Sequence, residues 1–283
     1  MRVGAIKAIR LLVIATLLAL VSRKTVAQKA LRMKFQDWNE DDDRIRVRSW
    51  YVEAETMLGE QWGLDVVGLV DVISGATPMG RTPTNDPDDW LAQMDEERRA
   101  GIVTLSQEGD VYDFSFEFGL SHEPDYLSRS YAARLSRSFA SDTLTFNAGL
   151  SYLDDVVDTN VPGGPDFGDQ DKSTPEFMFG IHRILSPKST VLLNLSYGRP
   201  KGYLGDPYKQ IGLTEILFPG DPVRETEELY LYPENRPDGR ETFTAYAETT
   251  RYFESLQGSL EASYRFFADD SDLRGHTVEL QWF

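Results

Sequence analysis

The reactive inventory of this 283-residue chain is lopsided: 46 acidic residues, 29 basic residues, three histidines and no cysteine. Zinc and haem sites draw on clustered histidine and cysteine, and His122, His182 and His276 are scattered, so neither is expected. Serine hydrolysis needs a Ser, a His and a carboxylate converging in space. His122 does lie beside Ser121, Glu123 and Asp125. Neighbours on an extended strand point to opposite faces, however, and no G-x-S-x-G stretch occurs. No catalytic residue is expected. The oxygen-rich runs Glu40–Asp43, Asp86–Asp89, Asp154–Asp158 and Asp166–Asp171 suit a hard cation better. Asp166, Asp169 and Asp171, turned by Gly168, are the calcium candidates, although the closing glutamate of a twelve-residue calcium loop is missing. The plainer reading favours solvated surface carboxylates holding divalent cations loosely, with no other cofactor.

A third kind of chemistry is electrostatic. Asp113 and Glu117 alternate with Tyr112, Phe114, Phe116 and Phe118, and Arg129, Arg134 and Arg137 follow on the next run. If Asp113, Glu117 and Arg134 share one face, opposite charges line a polar interior and bias which ions pass. The elements that must position them are strands. Val111–His122 alternates apolar and polar residues, and so does Thr143–Asp154, with Leu144, Phe146, Ala148, Leu150 and Tyr152 on one face. A period of two over about ten residues, with Tyr at an end, predicts strands that show one face to lipid and one to a polar lumen.

Carried along the chain, this pattern predicts twelve strands. The first is Lys29–Trp38, the third Trp62–Ile73, the fourth Arg98–Gln107 and the last Arg274–Phe283. Tight turns at 58–61, 108–110, 140–142, 187–189 and 254–257 alternate with connections that include three long loops, 74–97, 155–173 and 200–239. Short turns on one side and long loops on the other are the asymmetry of a transmembrane antiparallel up-and-down β-barrel. Twelve strands bring both ends of the meander to the short-turn side. Ahead of them, Arg2, Lys7 and Arg10 precede the apolar run Leu11–Val21, and Thr25-Val26-Ala27 offers a cleavage site. Residues 1–27 therefore read as a secretory signal peptide and 28–283 as one barrel domain. Cleavage would remove five basic residues (Arg2, Lys7, Arg10, Arg23 and Lys24) and no acidic one, moving the net charge from −17 to −22. That charge disfavours nucleic acid as a partner. The expected surroundings are outer-membrane lipid and lipopolysaccharide in a Gram-negative cell, the latter bridged to the acidic loops by divalent ions.

Five stretches carry a resemblance. They are Asp71–Pro78 (DVISGATP), Ser121–Tyr126 (SHEPDY), Gly202–Tyr208 (GYLGDPY), Glu234–Pro237 (ENRP) and Tyr264–Asp270 (YRFFADD). Together they resemble the bacterial domain-of-unknown-function family 3570, predicted outer-membrane barrels. The resemblance implies the fold and brings no established activity or catalytic residue. It also implies further strands after Tyr264–Asp270, so the count rises above twelve if the chain is a truncated member. At the C-terminus, Val278, Leu280 and Trp282 form the apolar set, one register away from the pattern expected of a terminal Phe insertion signal. Phe283 then lies beyond the last ladder residue, or strands are missing.

Two stretches remain as candidate sites. Asp71, Ser74, Gly75 and Pro78 read either as a ligand contact at the lumen mouth or, more simply, as a bend that takes the chain out of the wall. Loop 200–239 holds Tyr203, Tyr208, Phe218, Tyr230 and Tyr232 with Pro207, Pro219, Pro222, Pro233 and Pro237, which suggests a plug inside the barrel or contact with a partner protein. The expected function is a pore or membrane scaffold without catalysis. The alternatives are a surface binding or adhesion module anchored by a closed barrel, and a membrane-embedded hydrolase using His122 or His182.

Overall fold

The computed structural model describes residues 29–40, 45–78, 91–160, 167–220 and 226–283. The expected signal peptide, the run Asp86–Asp89 and Asp166 lie outside them. Among the described residues fifteen strands are formed: β1 (Lys29–Asn39), β2 (Ile45–Leu58), β3 (Trp62–Pro78), β4 (Leu91–Gln107), β5 (Asp113–His122), β6 (Tyr126–Phe139), β7 (Leu144–Asp158), β8 (Asp169–Ser186), β9 (Ser189–Gly198), β10 (Lys201–Gly202), β11 (Gln210–Leu217), β12 (Thr226–Pro233), β13 (Thr242–Phe253), β14 (Gly258–Asp269) and β15 (Arg274–Trp282). Twelve of them make an antiparallel meander in which each strand pairs with the next, β9 passing directly to β13. The hydrogen-bonded order runs from β1 to β15, and among the described residues no ladder joins those two ends.

The register places the alternating residues in two continuous fields. Phe118 is paired with Val103 and Tyr131, Tyr131 with Tyr152, Leu150 with Phe177, and Phe177 with Tyr197, which meets Phe243. These cross-strand pairs build an aromatic and aliphatic belt, with the Phe118 and Tyr131 rings 5.4 Å apart. The belt is uncovered: Leu150 is 61% and Leu280 68% exposed, whereas Val157 is the only buried hydrophobic residue among the described ones. A sheet of this size without an internal core gains its stability only when something apolar covers that belt, and lipid is the medium that does so. The opposite face carries Arg32, Glu53, Glu55, Asp65, Glu117, Arg134, Glu176, Glu248 and Arg265.

The two ends differ as expected. At one, the connections are short. Ala140, Ser141 and Asp142 all take left-handed backbone (φ 53°, 53° and 62°), and a 3-10 turn, Glu254–Leu256, closes on left-handed Gln257. At the other end the structure corrects the reading of the loops. Ser74–Pro78 pairs with Leu91–Asp95 in the ladder and is no bend out of the wall. Gly75 keeps this register at φ 146°, and Pro78, which has no N–H to give, stands at the strand end where that costs least. Asp155–Asp158 and Asp169–Ser173 are likewise strand. Thr159 then closes the connection, its hydroxyl donating to the Gly168 carbonyl and accepting from the Phe167 N–H, both at 2.9 Å. Loop 200–239 contains β10, which pairs with β8, and the separate β11–β12 ribbon. At the C-terminus Val278, Leu280 and Trp282 share the belt face. Phe283 exchanges both backbone hydrogen bonds with Ser259 at 3.0 Å and so stands within the ladder, on the polar face.

Candidate functional site

The long connection between β9 and β13 is fastened at its base. The Arg240 N–H donates to the Pro200 carbonyl (3.0 Å), Gly202 to Asp238 (2.8 Å) and Tyr203 to Asp171 (2.9 Å). The Arg240 guanidinium donates to Asp269 at 2.9 Å. Gly202 is required here twice over. Its φ is 95°, and a Cβ would stand 2.2 Å from the Asp171 carbonyl oxygen. Further along, Arg236 grips Glu234 with two hydrogen bonds, 2.7 and 3.1 Å, which holds the Glu234 carboxyl below its usual range. Glu234 in turn accepts the Asp206 N–H at 3.4 Å, and Asp206 accepts the Tyr208 N–H at 3.0 Å.

These bonds deliver Tyr208 to the far side of the mouth. Its hydroxyl lies 2.6 Å from Asp125 Oδ2, on the β5–β6 connection, and 2.9 Å from Glu96 Oε1, on β4. Glu96, Glu123 and Asp125 bring carboxylate oxygens within 4.8 Å of one another. Arg98 stands beside them, its Nε donating to Ser121 Oγ at 3.1 Å and lying 3.6 Å from Glu123. Burial pushes the Glu123 carboxyl up, against the pull of Arg98. Burial and the two acceptors also raise the Tyr208 phenol, so it stays protonated. Because Glu96 follows the parity of Arg98 and Ala100 on β4, the Tyr208 segment crosses onto the polar face. Beneath it is a cavity of about 780 Å³ lined by the acidic cluster, Tyr126, Tyr203, Lys172, Leu204 and Leu273. Lys172 Nζ lies 3.8 Å from Asp155, which is 1% exposed.

A second acidic cluster sits on the wall itself. Glu53, Glu55 and Asp65 also place oxygens within 4.8 Å of one another, on adjacent strands of the polar face. Arg32 bridges Glu53 at 3.2 Å and donates to Glu55.

The residues singled out from sequence are distributed as follows. Asp113, Glu117 and Arg134 share the polar face, with Arg134 opposite Ser115 and Glu117 opposite Thr104 and Ala132. No ion pair joins them among the described residues, and Asp113 accepts the Gly109 N–H at 3.1 Å. Arg129 and Arg137 face the other way, Arg129 to Asp154 at 3.0 Å and Arg137 to the Tyr112 hydroxyl at 2.7 Å. Asp71 is on the polar face and 8% exposed, whereas Ser74, three residues on, turns to the opposite face. Asp169 and Asp171 lie in β8 opposite Asp158 and Val156, not in a cation-wrapping loop. His122, His182 and His276 stand on β5, β8 and β15. The sequence reading noted Glu123 and Asp125, but as companions of His122. It missed Glu96 altogether and had Tyr208 only as one aromatic among five.

The family model described as "Protein of unknown function (DUF3570)" matches residues 5–90 and 86–283. The chain belongs to that family. No curated protein matches it. Among solved structures it is similar to two mutant forms of the ferric enterobactin receptor (PfeA) of Pseudomonas aeruginosa. Each is 14% identical, with 90% of this chain and 41% of that chain covered, at TM-scores of 0.52 and 0.51. The chain thus spans about two fifths of the length of the receptors it matches. At that identity the likeness is one of fold: this DUF3570 member has the fold of the outer-membrane β-barrels. Its uncovered belt is the lipid-facing surface such a barrel requires.

Proposed function

We propose that this protein is a non-enzymatic outer-membrane pore that favours small cations, its long-loop end turned outward. The observation that carries the reading is the polar face. It holds the Glu53–Glu55–Asp65 cluster against a single bridging arginine, and the acidic mouth lies at the end of the same face. Carboxylates set into a polar lining raise the local concentration of cations and exclude anions. Nothing in the reading calls for a nucleophile or a general base, and the three histidines stand on separate strands. The test is conductance of the refolded protein in a planar bilayer under a salt gradient. Cation-selective steps support the pore; silence from protein with intact heat-modifiable migration overturns it.

A second reading has its own observation. On the β11–β12 ribbon Ile211 is paired with Tyr232 and Leu213 with Tyr230, and all four are exposed. An apolar face held outside the lipid belt suits a partner protein, with the barrel as its anchor. A ribbon face altered by Ile211→Ser and Leu213→Ser, leaving conductance unchanged but abolishing capture of a partner at the cell surface, would favour that reading.

A further inference from the structure

Tyr208 contacts two carboxylate oxygens, Asp125 Oδ2 at 2.6 Å and Glu96 Oε1 at 2.9 Å. A phenol carries one proton. One contact uses it, and the other sets two lone-pair-bearing oxygens against each other unless a second proton lies between them. Glu123 adds a third carboxylate within 4.8 Å of the other two. The cation beside them is Arg98, half-exposed and 3.6 Å from Glu123. From β3, buried Asp71 adds negative charge toward Glu123. On the loop side Asp206 is paired with Lys209 at 3.4 Å and Glu234 with Arg236. Across the same cavity Lys172 is paired with Asp155 at 3.8 Å and Arg240 with Asp269 at 2.9 Å, so the neighbourhood is short of positive charge not already paired. Three full negative charges at this spacing in a half-buried site repel strongly.

We propose that the mouth carries a proton-dependent latch. A proton shared among Glu96, Glu123 and Asp125 completes the hydrogen bonds to Tyr208 and holds residues 203–210 across the cavity. Its loss at higher pH turns the attachment into repulsion and lets the loop swing away. Burial of Glu123, which favours its neutral form, works in the same direction. A carboxyl whose pKa is higher latched than released stabilises the latch fully below the released value. That contribution disappears as pH rises through the latched value. The window therefore opens upward from the ordinary glutamate range, about 4.3.

The inference rests on the pore reading only for its consequence, gating, and the test separates the two. The chain has no cysteine, so the full-length protein in liposomes can be spin-labelled at Pro124→Cys on the β5–β6 connection and Ile211→Cys at the start of β11. The distance between the labels is then measured. The expected result is one short, narrow distribution at about pH 5 and a growing longer population by about pH 8. Tyr208→Phe should show the longer population at both values. Asp125→Asn, whose amide donates without titrating, should keep the short one at both. A wild-type distribution unchanged across that range, or a short population that survives Tyr208→Phe, overturns the latch. Distances that move in a protein without conductance support the latch and overturn the pore; conductance with pH-independent distances does the reverse.

Discussion

The protein holds two triads of the same chemistry. Glu53, Glu55 and Asp65 crowd together on the wall, and Glu96, Glu123 and Asp125 crowd together at the mouth, each with oxygens inside 4.8 Å. What differs is the counterpart. The wall triad has a permanent cation, Arg32, from the strand that pairs directly with β2. The mouth triad has a phenol from a loop 83 to 112 residues away in sequence, and its arginine, Arg98, pairs with Glu123 at 3.6 Å but with neither carboxylate that holds the phenol. Arginine satisfies carboxylates at every ordinary pH. A phenol can satisfy only one acceptor for each proton it owns. The wall cluster is thus a fixed piece of lining, while under the proposed latch the mouth cluster ties the position of residues 203–210 to protonation.

The comparison breaks most completely if the mouth is dismantled. Gly202→Leu forces a side chain against the Asp171 carbonyl from a left-handed backbone. It should cost about 3 kcal/mol, the sum of backbone strain and overpacking. Trypsin cleavage at Lys209 should then become rapid while heat-modifiable migration of the wall stays unchanged. Next in size is Tyr208→Phe, which deletes hydrogen bonds to charged groups worth about 1.5–3 kcal/mol in a half-buried site. The same cleavage assay should detect it, together with loss of any pH dependence of cleavage.

Arg32→Ala addresses the other triad. It removes the one cation bridging Glu53 and Glu55, so the reversal potential under a salt gradient should shift further toward cation selectivity, roughly twofold in permeability ratio. The thermal unfolding midpoint should stay put, because Arg32 is itself well exposed. The smallest effect is expected from Arg98→Ala. Losing its attraction makes the charged form of Glu123 less favourable, so its already raised pKa climbs further. Release of the loop, followed by label distance, should then require a pH higher by less than about one unit.

The wall was readable because each of its residues needs only local information. Val111–His122 predicts its own faces, and the observed ladder puts Phe116 and Phe118 on the belt with Glu117 opposite. Tyr126–Phe139 emerged with its expected bounds. The misjudged stretches were those where alternation is weak and turn-forming residues dominate. Ser74–Pro78 contains Gly and Pro and reads as a bend, yet the register of β2 and β4 on either side keeps it extended. Asp169–Ser173 reads as acidic loop, yet Asp155–Asp158 pairs along it. A neighbouring strand supplies what the residues themselves do not prefer.

From sequence alone follow the all-β class, the two-faced strands, the asymmetry of short turns and long loops, and the acidic balance of the surface. These follow because strand periodicity and charge are properties of adjacent residues. Only the tertiary structure decided that Tyr208 reaches the polar face, that it lands between Glu96 and Asp125, and that Ser74–Pro78 stays in the ladder. Such pairings join residues up to 112 positions apart. They depend on where the strands' ends come to stand in space, which no local pattern encodes.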